Sequence, residues 1–252
     1  MITVGSLFSG IGGIDLGLER AGMECVWQVE IDDYAIKILE KHWPNVRRCR
    51  DVTIFPPRPI QEWGCDLIAG GFPCQDISYG GKGAGLNGKR SGLWWEFARI
   101  IRQIRPKYVL VENVGALLTR GIDAVLGALA SIGYDAEWHC IPAAAVGAPH
   151  IRDRVFIFAY SQSINNRSIS IKQCIQMSGK EFWGEQPGRR TYQEVIEHGD
   201  ITGWVVHESR LSRMVNGTSF QMDRLKCIGN AVVPQIAEWI GKQIVEFDRN
   251  NK

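Results

Sequence analysis

The chain has no Cys-x-x-Cys pair. Its 7 cysteines, Cys25, Cys49, Cys65, Cys74, Cys140, Cys174 and Cys227, are scattered, a spacing that speaks against a zinc site, so no metal is expected. No apolar run approaches membrane-spanning length, and Met1-Ile2-Thr3-Val4 lacks the basic-then-apolar pattern of a secretion signal. We therefore expect no membrane partner and a reducing cytoplasm, where an odd number of free thiols persists. An excess of one charge is also missing. The formal net charge is +2, so any nucleic-acid surface has to be local. There is no internal repeat and no low-complexity tract, and the glycine turn after the first strand, Gly10-Ile11-Gly12-Gly13, lacks Gly-x-Gly-x-x-Gly spacing, so a dinucleotide pyrophosphate is not specifically indicated. What is present is ordinary for a folded domain. Hydrophobic residues make up 45% and charged residues 22% of 252, enough to bury a sizeable core.

One stretch organises the rest. Asp66-Leu67-Ile68-Ala69 reads as a buried strand, ended by Gly70-Gly71 and followed by Phe72-Pro73-Cys74-Gln75-Asp76-Ile77-Ser78. A thiol at a strand end lies where open α/β sheets place their chemistry. It is a candidate nucleophile, although Cys74 alone also fits a buried structural cysteine. A Gly-rich basic segment follows, from Tyr79 to Gly92.

Upstream, residues 2–8 read as a first strand, Ser9-Gly10-Ile11-Gly12-Gly13 as a glycine turn, and Ile14 to Ala21 as a helix closed by Gly22. The glycines let backbone N–H groups approach a ligand. A second strand, Cys25 to Val29, ends in Glu30, about twenty residues after the turn, where Rossmann-like folds set a carboxylate on ribose hydroxyls. Asp32 or Asp33 caps the helix Tyr34 to His42, which Pro44 stops. A weak strand, Val46 to Cys49, leads to Asp51-Val52. Each acid alone fits a surface or capping role, but two at successive strand ends indicate a nucleoside pocket.

Ser91 reads as the N-cap of a helix carrying Trp94, Phe97, Ile100, Ile101 and Ile104. Tyr108 to Val111 is a strand ending in Glu112-Asn113-Val114. Ile122 to Ile132 is a helix closed by Gly133, Tyr134 to Ile141 alternates as a strand, and Val155 to Ala159 is an apolar strand. Such alternation predicts a mostly parallel sheet with helices on both faces. From Ser161 to about Val206 periodicity fades, and a small inserted region is expected. A last helix runs from Val233 to Phe247.

With these residues in place, the chain resembles the DNA (cytosine-5)-methyltransferases. Leu7-Phe8-Ser9-Gly10-Ile11-Gly12-Gly13 is similar to the family's S-adenosylmethionine-binding motif and Gly71 to Ser78 to its Pro-Cys motif. Glu112-Asn113-Val114 is similar to its Glu-Asn-Val motif, Arg152-Asp153-Arg154 to its Gln-x-Arg-x-Arg motif, and Gly229-Asn230-Ala231-Val232-Val233-Pro234 to its last. All five stand in the family's order. The resemblance implies a class I methyltransferase fold with a mostly parallel, seven-stranded sheet. A catalytic domain would span 1–160, a small target-recognition region 161–206, and a segment returning to the catalytic domain 207–252.

The resemblance further implies methyl transfer from S-adenosylmethionine to C5 of a flipped-out cytosine in duplex DNA, within a restriction–modification or phage setting. Cys74 is the nucleophile it implies, held by Pro73. Glu112 is the acid at N3, Asn113 holds the glutamate–Pro73 region, and Arg154 with Arg152 supports the O2 side and phosphate. The cofactor would be lined by Phe8, Gly10, Ile11, Gly12, Glu30, Ile31, Asp51, Val52, Asn230 and Val232. Gln75, Ser78, Lys82, Lys89 and Arg90 would touch DNA. A monomer is implied, with a paired nuclease as a functional partner.

Two features depart from the pattern. His150 stands where the family usually has glutamine, and the 161–206 region is much shorter than the usual recognition domain. Three other readings stay open: an RNA cytosine-5-methyltransferase on the same scaffold, a relative that binds DNA or cofactor without turnover, and a Rossmann dehydrogenase. The lack of Gly-x-Gly-x-x-Gly spacing in the turn after the first strand and the Pro-Cys stretch weigh against the last.

Overall fold

The computed structural model describes residues 1–73, 92–143, 153–163 and 232–250. Within them a seven-stranded sheet forms from β1 (Thr3–Leu7), β2 (Glu24–Val29), β3 (Arg47–Cys49), β4 (Leu67–Gly70), β5 (Tyr108–Val114), β6 (Tyr134–Pro142) and β7 (Asp153–Ser161), in the order β3-β2-β1-β4-β5-β7-β6. The helices are α1 (Gly13–Arg20), α2 (Asp33–His42), α3 (Leu93–Ile104), the single turn α4 (Leu117–Arg120), α5 (Ile122–Ile132) and α6 (Pro234–Asn250). β1 to β5 are mutually parallel, while β7 runs antiparallel to both β5 and β6. The sheet is thus mostly parallel, with one reversed strand that apolar periodicity does not reveal.

The strands are apolar on both faces because helices cover both. Along β5 the side chains alternate. Val109 and Val111 join the layer with Phe97 and Ile101 of α3 and Leu129 of α5. Tyr108 and Leu110 join the layer with Leu18 of α1 and Ile240 and Ile244 of α6. Period-two alternation of a fully buried strand feeds two cores at once. α1 and α6 approach closely through small residues. A Cβ on Gly17 would lie 2.5 Å from Cβ of Ala237, and one on Gly241 would lie 2.7 Å from Cβ of Ala21.

Helix ends follow the sequence signals in most places. Asp32 caps α2, its Oδ1 accepting from the backbone N–H of Tyr34 at 3.0 Å and Ala35 at 3.1 Å. Gly22 and Gly133 take φ of 88° and 91° after α1 and α5, the left-handed geometry glycine tolerates. α3 differs. Its N-cap is Gly92, with no side-chain cap, and the expected Ser91 cap lies outside the described residues. So do the Tyr79–Ser91 part of the glycine-rich segment, His150 and the 164–206 portion of the inserted region.

Candidate active site

Register builds the site. Cys49 of β3, Val29 of β2, Leu7 of β1, Gly70 of β4 and Val111 of β5 form one row across the five parallel strands. Each strand delivers its candidate residues just past that row, at the carboxyl edge where such sheets bind ligands. In strand order they are Asp51 and Val52, Glu30 and Ile31, Phe8 and Gly10, Gly71 to Pro73, and Glu112 with Asn113. Elements far apart in sequence therefore share one edge because the last residues of β1 to β4 pair in register with one another and with Val111 of β5.

At the β4–β5 end the geometry is tight. Arg154 Nε of β7 meets Glu112 Oε1 of β5 at 2.7 Å, and both side chains are largely buried. The antiparallel register sets this up, with Val114 opposite Arg154 and Glu112 opposite Phe156. Bringing a guanidinium to a buried carboxylate in this way gives a charge-assisted pair. Gly71 is the floor beneath it. A Cβ there would lie 2.5 Å from Glu112 Oε2 and 3.3 Å from the Glu112 carbonyl oxygen, so only glycine leaves the carboxylate its place. Asn113 Nδ2 donates to the Phe72 carbonyl at 3.0 Å, and Asn113 Oδ1 accepts from the Val114 N–H at 2.9 Å. One amide thereby ties β5 to the peptide that enters Pro73.

The β1–β2 end forms a turn of bonded backbone. Glu30 Oε2 accepts from the Gly10 N–H at 2.7 Å, and Oε1 accepts from the Ile31 and Asp32 N–H groups at 2.9 and 2.8 Å. Each carboxylate oxygen offers about two lone-pair sites, so Glu30 keeps acceptor capacity while its orientation is fixed. Phe8 adopts φ of 55°, in the left-handed region, as does Gly12 at 82°. A bulky residue there is strained, and such strain concentrates at functional turns. A Cβ on Gly10 would meet nothing within 4 Å, whereas one on Gly12 would strike the Trp43 ring. Trp43, itself held by its Nε1 donating to Glu19 Oε1 at 2.7 Å, thus supports the turn from behind.

At β3, Asp51 Oδ1 accepts from Thr53 N and Oγ1 at 2.8 and 2.7 Å. Those bonds hold its carboxyl below the usual range, so it presents an anion at the edge, with Oδ2 turned to no described donor. Ile31 is 70% exposed, beside that edge, and Val52 is buried. Val232 returns to the first turn: its carbonyl oxygen would lie 2.5 Å from a Cβ on Gly13. The structure therefore places Phe8, Gly10, Ile11, Gly12, Glu30, Ile31, Asp51, Val52, Pro73, Glu112, Asn113, Arg154 and Val232 along one edge of the fold. Cys74, Gln75, Ser78, Lys82, Lys89, Arg90, Arg152 and Asn230 lie outside the described residues. The sequence carries no signal for the contact of Gly71 with Glu112, nor for Trp43 as a backing wall. Both are long-range meetings without a motif.

Two carboxylates, one bonded glycine turn and an open position at Gly10 fit a ligand with vicinal hydroxyls, an amino group and a cationic centre. S-adenosylmethionine has that donor set. Among the described residues no cluster of His, Cys, Asp and Glu could hold a metal ion, and no helix is long and apolar enough to cross a membrane.

The family model of C-5 cytosine-specific DNA methylases matches residues 2–199. The chain is 36% identical over 156 residues to the type II methyltransferase M.NgoFVII of Neisseria gonorrhoeae, covering 60% of this chain and 42% of that protein. A putative DNA modification methyltransferase encoded within an Escherichia coli prophage superposes with a TM-score of 0.56 at 27% identity, covering 69% of this chain and 54% of that one. The Schizosaccharomyces pombe Dnmt2 methyltransferase shares the fold, with a TM-score of 0.60 at 19% identity over 75% of this chain and 57% of that one. This chain spans about two fifths of the length of the curated relatives it matches. The sheet is that of a class I S-adenosylmethionine-dependent methyltransferase, and by its matched span the chain belongs to the C-5 cytosine-specific DNA methylase family.

Proposed function

We propose that this chain transfers a methyl group from S-adenosylmethionine to C5 of cytosine in duplex DNA, with Cys74 as the nucleophile. The observation that carries the reading is the buried Glu112–Arg154 pair at 2.7 Å, beside the Phe72 carbonyl that Asn113 holds just before Pro73. Cytosine C5 is a poor nucleophile. Addition of the Cys74 thiolate to C6 forms a C–S bond and pushes electron density to C5 and N3, one hard step split into two easier ones. Glu112, protonated or sharing a proton taken up with the bound base, then donates at N3, and general acid help of this kind contributes roughly 10²–10⁴ in rate. Arg154 orients Glu112 and offers a donor toward the O2 side. Once C5 carries the methyl that the cofactor would give up, leaving as S-adenosylhomocysteine, the C5 proton passes to water, the N3 proton returns to Glu112, and the C–S bond breaks to release the Cys74 thiolate and restore the ring.

When bound, S-adenosylmethionine supplies an electrophilic methyl on a sulfonium. Glu30 would hold its ribose hydroxyls, Phe8 would stack on its adenine, Asp51 Oδ2 would accept from the adenine amino group, and the Gly10–Gly12 turn would take its amino-acid end. Val232, packed on Gly13, closes the turn, with Asn230 expected alongside. The target atom is unreachable in a stacked duplex, so the base has to be flipped out at a cost of a few kcal/mol. Gln75, Ser78, Lys82, Lys89, Arg90 and Arg152 are proposed to grip the nucleotide and its phosphates. A cytoplasmic monomer acting beside a cognate nuclease completes the reading. We place the catalytic domain at 1–160, the recognition region at 161–206 and the returning segment at 207–252.

The test is tritiated methyl transfer to duplex DNA and to tRNA in parallel, with product analysis. Label in 5-methylcytosine of DNA supports the reading. Label confined to tRNA moves the substrate to RNA, and cofactor binding with no transfer to either indicates a relative that binds without turnover.

A further inference from the structure

Arg99 of α3 does something no motif announces. Its Nη2 donates to the carbonyl oxygens of Val52 at 2.9 Å, Thr53 at 3.4 Å and Phe55 at 2.6 Å. Nε is fixed by Glu96 Oε2 at 2.7 Å and Nη1 by Gln103 Oε1 at 2.8 Å, so the whole side chain is pinned to its own helix. The segment it grips is the tight turn after β3, in which Ile54 N donates to the Asp51 carbonyl at 3.4 Å and Phe55 N to the Val52 carbonyl at 3.3 Å. Curling this turn points three carbonyl dipoles at one spot. A cation there offsets their repulsion, and a guanidinium supplies it through Nη2 while Nε and Nη1 stay bonded to Glu96 and Gln103, a division of labour that a single ammonium nitrogen cannot make.

The turn so held contains Asp51 and Val52, while the same helix sets Phe97 with its ring centroid 6.4 Å from that of Phe8. α3 therefore spans the two sides of the cleft proposed for adenine, and Arg99 sets the height of the Asp51 side. We propose that Arg99 is a positioning residue that aims Asp51 Oδ2 at the exocyclic amino group of the adenine moiety. It touches the turn's backbone and acts on the ligand through Asp51. This inference rests on the cofactor reading above.

The experiment is a ligand-by-mutation cycle. Binding of S-adenosylhomocysteine and of its analogue lacking the 6-amino group is measured by calorimetry on the full chain, for wild type, Arg99→Leu and Arg99→Lys. Loss of a hydrogen bond to a charged acceptor should cost wild type about tenfold in affinity. In Arg99→Leu the penalty should shrink to about twofold, because Asp51 is no longer aimed. Arg99→Lys keeps the charge but has one nitrogen, which cannot face the carbonyls and also keep the bonds to Glu96 and Gln103, so its penalty should fall to an intermediate value, and it carries the comparison if the leucine variant fails to fold. A general loss of stability would lower both affinities and leave their ratio alone. An equal penalty in wild type and in both variants overturns the assignment. Wild type that binds both equally also overturns it, since Asp51 then makes no contact with the amino group, whereas wild type that binds neither removes the cofactor reading beneath it.

Discussion

The acid at the centre of the edge depends on a residue with no side chain. Because a Cβ on Gly71 would lie 2.5 Å from Glu112 Oε2, Gly71→Ala should push the carboxylate off its position while Arg154 still pulls on it. We expect methyl transfer to fall by about a hundredfold with cofactor affinity unchanged, read as kcat against the cofactor Kd. Glu112→Gln keeps the shape and removes the transferable proton, so the chemical step should slow by roughly 10²–10⁴ under single turnover, again without loss of cofactor binding. Asp15 makes a different point. It is buried in α1 and accepts from Cys25 Sγ at 3.5 Å. Burial raises its pKa from 3.8 to about 6. Between those values the folded state holds a proton that the unfolded state has released, so stability falls as pH rises through the window and levels off above it. Asp15→Asn cannot ionise. Its stability relative to wild type should therefore climb by about 2–3 kcal/mol from pH 4 to pH 7, measured by denaturant unfolding across that range.

Among the elements, the α1–α6 contact links the last described helix to the first turn. Gly17→Val would drive methyl groups into Ala237 and the backbone at Pro234. Overpacking of this kind costs about 1–3 kcal/mol, and since Val232 rests on Gly13, cofactor affinity should drop with the melting temperature. Calorimetric melting and cofactor titration of the one variant check both. The helices and most strands were legible in the sequence because each carries its own signal. α2 has Asp32 and Pro44, α5 has Gly133, and β5 has an unbroken apolar run. Strand direction was not legible. Nothing in Val155 to Ala159 says that β7 runs against β5, because direction is set by the route of the chain and not by periodicity. α4 is one turn long, too short for a period to appear. Asp15 in the first turn of α1 reads as a surface partner of the helix dipole, and only the packing of β2 and its Cys25 against it reveals its burial. Arg99 reads as one more charge on a solvent face, because the carbonyls it gathers lie more than forty positions away in sequence.

Taken whole, the molecule is a register device. Four parallel strands end in one row, β5 crosses that row at Val111 and runs on to Val114, and the groups proposed to bind the cofactor and to act on the base are the residues just past it. Short spacings such as Glu30 after the glycine turn were readable along the chain, but that Asp51, Phe8 and Glu112 share one edge follows only from pairing. The family and the fold stand on the matched span and the sheet. The central claim about chemistry is the covalent step at Cys74, and duplex oligonucleotides containing 5-fluorocytosine test it most directly, incubated with S-adenosylmethionine and with wild type or Cys74→Ser. Fluorine cannot leave C5 as a proton does, so the adduct cannot resolve. The account predicts a denaturation-resistant protein–DNA species with wild type and none with the variant. Efficient methylation of ordinary cytosine by Cys74→Ser, with no trapped species from wild type, would contradict it.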